Sequence, residues 1–139
     1  MTDEPFDGED TWHVQRTLRD GRVVTFRPLR PADRDELKRE FDKLPPDSRY
    51  SRFMGAVSMT DALLDYLTQV DQQRHVAIGA ALGAQGVGIG RFIRDDAPST
   101  VAELAITVVP SMRGFDLGAM LYDELRRAAK LRGVSHFRA

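Results

Sequence analysis

The 139-residue chain contains no cysteine. That excludes a disulfide scaffold, a thiolate zinc site and a thiol nucleophile together. It also lacks any apolar run near the roughly 20 residues that carry a helix across a bilayer, so no membrane span is expected. A large charge of either sign is missing too, the net value being -1. A nucleic-acid surface is therefore not expected on charge alone. The opening MTDEPFDGED holds five acids and no base, which suits neither a signal peptide nor an Arg-rich transit peptide; the expected location is the cytoplasm. His13, His75 and His136 share no ligand spacing, so no metal is expected.

What is present is ordinary for a globular protein: 42% hydrophobic and 29% charged residues. A chain of this length buries about two-thirds of its unfolded surface without staples. Residues 1–10 read as an acidic, solvated, disordered tail, and residues 11–139 as one domain. Without its tail the body is weakly basic, which suits an anionic small ligand if the basic groups converge.

Thr11–Leu18 and Arg22–Leu29 are β-prone, and Asp20-Gly21 between them predicts a hairpin whose two turn positions both accept positive φ. Pro31 opens a helix with Leu37, Phe41 and Leu44 at helical spacing, ended by Pro45-Pro46. Asp47–Phe53 reads as a short helical turn, and Ser58 with Asp61 as a capping pair. In the helix that follows, Leu63, Tyr66, Leu67 and Val70 fall on one face. Strands are expected at His75–Leu82, Val87–Arg94 and Val101–Val109, with Gly83–Gly86 as the turn between the first two. The last of these is almost continuously apolar and is expected to be central and buried on both faces. After Ser111–Phe115 a helix runs to about Leu131 with Leu117, Leu121, Leu125 and Ala128 inward, Gly133 stops it, and Val134–Arg138 starts another strand. The fold class is α+β: a mixed, mostly antiparallel sheet, a parallel pair created by the final strand-helix-strand unit, and helices on both faces.

The stretch Ala102–Gly118 concentrates the chemistry. A strand, a short turn and then Arg113-Gly114-Phe115-Asp116-Leu117-Gly118 opening a helix make a phosphate cradle. Amides at a helix start lack partners, the helix dipole favours an anion there, and Arg113 adds a cationic fork. The same residues also read as a plain strand-to-helix connection. Gly86, Gly88 and Gly90 precede a strand pattern and not a helix, so they read as hairpin glycines. Arg126, Arg127, Lys130 and Arg132 complement the dipole at a helix C-terminus.

Arg113-x-x-Asp116-x-Gly118 after such a strand resembles the pyrophosphate signature of the GNAT superfamily of acetyl-CoA-dependent N-acetyltransferases. From Val23 onward FRPLRPADRDEL, PDSRYSRFMG, LTQVDQQRHVAI, GVGIGRFIRDD and AELAITVV resemble its Pat-like subgroup of protein lysine acetyltransferases. The resemblance implies direct acetyl transfer from acetyl-CoA to an amine of a protein lysine or a small molecule. It implies Glu103 as the base, with Ile106, Thr107 and Val108 along the pantetheine arm and Arg113, Gly114, Phe115, Asp116, Leu117, Gly118 and Ala119 around the pyrophosphate. A lone carboxylate in this strand is expected to be partly desolvated, which raises its pKa; the alternative is a Glu103 paired with Arg91 or Arg94. Ser48, Arg49, Tyr50, Arg52 and Phe53 match the segment lining the acceptor groove, as contacts or as packing.

Two features depart from the family pattern. Aspartate replaces glycine at 116, bringing bulk and negative charge toward two phosphates. The chain also stops after Arg138-Ala139, before the family's further helix and strands and the tyrosine that protonates the leaving thiolate; Tyr122 reads as core or rim. An unpaired last strand is expected to recruit a second copy, giving a homodimer. The other function these departures allow is a non-catalytic GNAT fold that dimerises or binds CoA weakly.

Overall fold

The computed structural model describes residues 4–42, 61–97 and 99–138. Among these residues six strands form one sheet in sequence order: β1 (Val14–Thr17), β2 (Val23–Pro28), β3 (His75–Leu82), β4 (Gln85–Arg94), β5 (Val101–Val108) and β6 (His136–Arg138). Neighbours are antiparallel except β5 and β6, whose parallel pairing runs Val101↔His136 to Glu103↔Arg138. The predicted mixed sheet and its parallel pair are therefore present. Among the described residues three helices accompany it: α1 (Arg34–Asp42), entered through a 3-10 turn at Pro31–Asp33, α2 (Asp61–Thr68) and α3 (Leu117–Leu131).

Helix α3 covers one face of the sheet. Leu117, Leu121, Leu125 and Ala128 are buried as their spacing predicts, against Phe26, Ile78 and Phe92. Glycine at 88 and 90 makes this close approach possible: a Cβ at Gly90 would stand 2.6 Å from Leu125 Cδ1. Helices α1 and α2 lie together, joined by Arg34, which pairs with Asp61 at 2.8 Å and Asp65 at 3.0 Å. Glu36 of α1 reaches β4, accepting the Gly86 N–H at 2.6 Å.

Several expectations are corrected. Residues 4–10 are not a free tail. Phe6 is fully buried against Trp12, with ring centroids 4.9 Å apart. Arg132 Nη1 donates to Phe6 O at 2.8 Å, and Trp12 Nε1 to Glu4 O at 2.8 Å. One aromatic side chain outweighs the acidity of its neighbours, because the acids stay at the surface while the ring is buried. The β1–β2 connection is a three-residue loop, Arg19–Gly21, closed by Gly21 N–H to Leu18 O at 3.0 Å; only Gly21 has positive φ (94°). That is a turn followed by a left-handed glycine, the usual solution when three residues link a hairpin. The β3–β4 turn needs only Gly83-Ala84. In α2 the inward positions are Leu64 and Thr68, while Tyr66 is 51% exposed; the side chains of Leu63 and Leu67 lie outside the description, as do Leu44, Pro45-Pro46, Asp47–Phe53 and Ser58. Strand β5 lies fifth of six, with only Ala102 and Ala105 buried, so its apolarity does not mark a strand covered on both sides.

Candidate active site

Register decides what β5 can offer. Val109 donates to Val87 O at 3.0 Å, and Val101 O accepts from Asp95 N at 2.8 Å. In an antiparallel pair such bonds recur at every second residue. With the pairing Ala105↔Arg91 and Thr107↔Ile89, the odd-numbered residues of β5 bond β4. The backbone groups of Leu104, Ile106 and Val108 therefore point the other way, toward the β6 side. Among the described residues β6 pairs only with 101–103. Ile106 and Val108 thus present a strand edge to whatever enters there.

That edge runs directly into the start of α3. Pro110 begins a 3-10 turn (Pro110–Met112) whose Met112 is buried, and Arg113 leaves it in extended conformation. Gly114 (φ 89°) and Asp116 (φ 71°) then both adopt left-handed backbone. A Cβ at Gly114 would meet nothing within 4 Å, so conformation and not space calls for glycine there. Asp116 is the N-cap, and the first amide to enter the helical ladder is Met120, donating to Asp116 O at 3.0 Å. The amides of Leu117, Gly118 and Ala119 have no partner within the helix, and the dipole adds partial positive charge at that end. Gly118 sits 4.0 Å (from its would-be Cβ) from Val108 Cγ2, so helix start and strand end form one surface.

The Asp116 carboxylate does not cap these amides. Its Oδ1 accepts from Arg19 Nη2 at 2.8 Å, across from the β1–β2 loop. The guanidinium of Arg22, from the same hairpin, lies 5.1 Å from the centroid of the Phe115 ring. Sequence reading placed the aspartate's charge against the phosphates; the structure gives that charge a cation 97 residues away.

Glu103 lies near the other end of β5. Its side chain is 40% exposed, and Oε2 accepts from Arg138 Nη1 at 3.1 Å. Arg138 also donates to Asp95 Oδ1 at 2.7 Å. Glu103 is thus partly buried, and the ion pair it makes is with Arg138 of β6, with the Arg91 charge acting on the same face. Arg91 nevertheless shares the face of Glu103, since the pairs Arg91↔Ala105 and Ile93↔Glu103 are two residues apart. Arg91 is 8% exposed; burial pushes its pKa down, opposed by Tyr66, which hydrogen-bonds it, and by the charge of Glu103.

His75 completes this polar face. Burial first, and the Arg91 charge second, push its pKa down to about 4, so the ring is neutral near pH 7. Its ring packs on Tyr66, centroids 5.0 Å apart, and Nε2 is buried with no hydrogen-bond partner among the described residues. The grouping of Tyr66, His75 and Arg91 was missed by sequence reasoning. The signal available was parity: residues 75, 91 and 103 all fall on one face once the hairpin register is known.

On the same side a cavity of about 200 Å³ opens between α1 and the β3–β4 hairpin, with Glu36, Glu40, Gly79 and Thr107 in its wall. Arg27 and Asp33 close one side. Burial disfavours the Asp33 carboxylate, but the Arg27 bond at 2.8 Å and the Arg30 N–H at 2.7 Å hold its pKa below the usual range. Among the described residues no cluster of three or more His, Cys, Asp or Glu is arranged to hold a metal. No helix there is long and apolar enough to cross a membrane.

Comparison with known proteins adds an independent line. No family profile matches the chain. It is 33% identical over 126 residues to acetyltransferase PA5475 of Pseudomonas aeruginosa, an overlap covering 87% of this chain and 67% of that protein. It is 32% identical over 124 residues to acetyltransferase Pat of Mycolicibacterium smegmatis, covering 88% of this chain but 37% of that longer protein. Among solved structures the GNAT domain of S. lividans PAT matches with a TM-score of 0.85 at 23% identity, covering 93% of this chain and 78% of that one. A cAMP-binding acyltransferase from Mycobacterium smegmatis matches with a TM-score of 0.61 at 26% identity, covering 92% of this chain and 38% of that one.

Proposed function

This chain belongs to the GNAT acetyltransferases of the Pat-like kind, and from that premise we propose that it transfers an acetyl group from acetyl-CoA to an amine, of a protein lysine or of a small molecule. The observation that carries the reading is the continuity of the β5 edge with the start of α3. A ligand that pairs with the backbone of Ile106 and Val108 arrives with its far end at the amides of Leu117, Gly118 and Ala119. A pantetheine arm followed by a pyrophosphate has that sequence of chemistry: amides able to add to a strand, then doubly charged phosphate.

Acetyl-CoA supplies an activated thioester carbonyl. The other contributions come from the chain. Ile106 and Val108 hold the arm through main-chain bonds, Thr107 between them bonds β4, and Arg113 through Ala119 surround the pyrophosphate. Glu103 accepts the proton that the attacking amine must lose, directly or through water. Arg138 engages Oε2, which leaves Oε1 for the proton and fixes the carboxylate's orientation. The buried guanidinium of Arg91 on the same face supplies fixed positive charge beside the reacting groups.

The test is calorimetric titration of the chain with acetyl-CoA, followed by an assay of free CoA released with a lysine peptide or a small primary amine. Saturable binding and amine-dependent CoA release are expected. Binding without release under any acceptor supports the non-catalytic alternative, and the absence of both retires the acetyltransferase reading.

A further inference from the structure

An aspartate at the mouth of a phosphate site is a contradiction that the hairpin resolves. The backbone at 116 is left-handed, a conformation that aspartate tolerates better than most residues with a Cβ. Its carboxylate is then one residue from the first amides of α3. Unscreened, it stands against a phosphate ligand: two unit charges about 4 Å apart in water repel by an amount equal to about fivefold in affinity.

The β1–β2 loop is built to reach this carboxylate. Leu18 is buried and donates to Arg22 O at 2.8 Å, which pins the base of the loop. Asp20 locks it further, accepting from Arg22 N at 3.1 Å and Arg22 Nε at 2.6 Å. Arg22 lies over Phe115, and Arg19 takes Asp116. Consecutive residues of the loop before α3 are thus each met by a guanidinium from one hairpin.

We infer that Arg19 is a positioning residue of the pyrophosphate site, holding the Asp116 carboxylate aside and cancelling its charge so that an anionic ligand can bind the amides of α3. The inference rests on the reading that those amides take the pyrophosphate of acetyl-CoA. It differs from a direct phosphate contact by Arg19, because its effect depends wholly on Asp116.

The experiment is a double-mutant cycle on the full chain with acetyl-CoA as the titrant. Arg19→Ala weakens binding about fivefold, and Arg19→Lys, which keeps the cation, restores it to within about twofold. In an Asp116→Gly background, where the left-handed turn is retained, Arg19→Ala leaves the affinity unchanged. The coupling shrinks as salt rises from low to molar concentration, as expected for an exposed pair. An equal loss in both backgrounds means that Arg19 touches the ligand itself and overturns the inference; no loss in either background also overturns it. If the unmodified chain and Asp116→Gly both fail to bind acetyl-CoA, the pyrophosphate reading itself is lost and the role of Arg19 with it.

Discussion

The two faces of the sheet obey different rules. Under α3 the sheet presents Val24, Phe26, Val76, Ile78 and Phe92, all fully buried, and the helix answers with Leu117, Leu121 and Leu125. On the other face stand His75, Arg91, Glu103 and Thr107, and His75 Nε2 and Thr107 Oγ1 are buried with no hydrogen-bond partner among the described residues. Burying apolar surface stabilises by about 25 cal/mol per Å², whereas burying a polar group without its bonds costs about 1–3 kcal/mol. One face therefore holds the fold together. The other carries a cost at His75 and Thr107, beside the Glu103 carboxylate and the Arg91 guanidinium.

The largest expected effect sharpens this division. Glu103→Gln keeps the side chain's shape and its bond to Arg138 but removes the carboxylate proposed as the base. Acetyl transfer should fall by about 10²- to 10⁴-fold, while the melting temperature and acetyl-CoA affinity stay near those of the parent. A CoA-release assay beside thermal unfolding checks both. A large loss of stability at this position would erase the distinction between the faces.

Next comes a change on the structural face. Gly90→Ala places a methyl group 2.6 Å from Leu125 Cδ1 and 3.4 Å from Ile106 Cγ1, so the buried Leu125 side chain must shift to admit it. Overpacking of this kind costs about 1–3 kcal/mol, measurable by urea denaturation. The signature to look for is lost stability with an unchanged rate per folded molecule.

How much of this was legible beforehand follows the same division. The α3 face was readable because Leu117, Leu121, Leu125 and Ala128 obey a local period, and β3 was found at its observed bounds, His75–Leu82. The β5–α3 junction was readable because a strand, a turn and a helix start are contiguous in sequence. The polar face was not. Whether His75 and Arg91 are buried depends on what α2 lays over them, and Glu103 meets its cation 35 residues on. Asp116 looked like a liability because nothing near it in sequence announces Arg19. Glu124 is fully buried between Arg16 and Arg127, which the helical spacing does not disclose. Long charged side chains are positioned by tertiary contacts, so spacing carries little information about them.

A pH series tests the polar face more finely. The unfolded chain protonates His75 near 6.5, but the native chain does so only at about 4. Between those values the unfolded state holds more protons, so protonation favours unfolding. Stability from this residue is fully present above about pH 6.5 and is lost as pH falls toward about 4. Urea midpoints across that window should decline, and His75→Gln should flatten the decline, with Asp71, which accepts the backbone N–H of residue 75 at 3.0 Å, left intact. An unchanged slope in the variant would assign the pH dependence elsewhere.

The smallest effect is also the most discriminating. Thr107 Oγ1 is buried without a partner among the described residues, at the point where β5 borders the α1 cavity. If this hydroxyl served the fold, removing it would destabilise. Valine has nearly the same shape and no polar group to desolvate, so Thr107→Val should be neutral or stabilising by up to about 1 kcal/mol. The backbone bonds of residue 107 go to β4 and survive the change. Activity then decides what the unpaired hydroxyl is for. A variant that is more stable yet slower with the amine acceptor would show that the polar face gives up stability for contact with substrate. A variant both more stable and equally fast would mean that at this position the two faces differ only in packing.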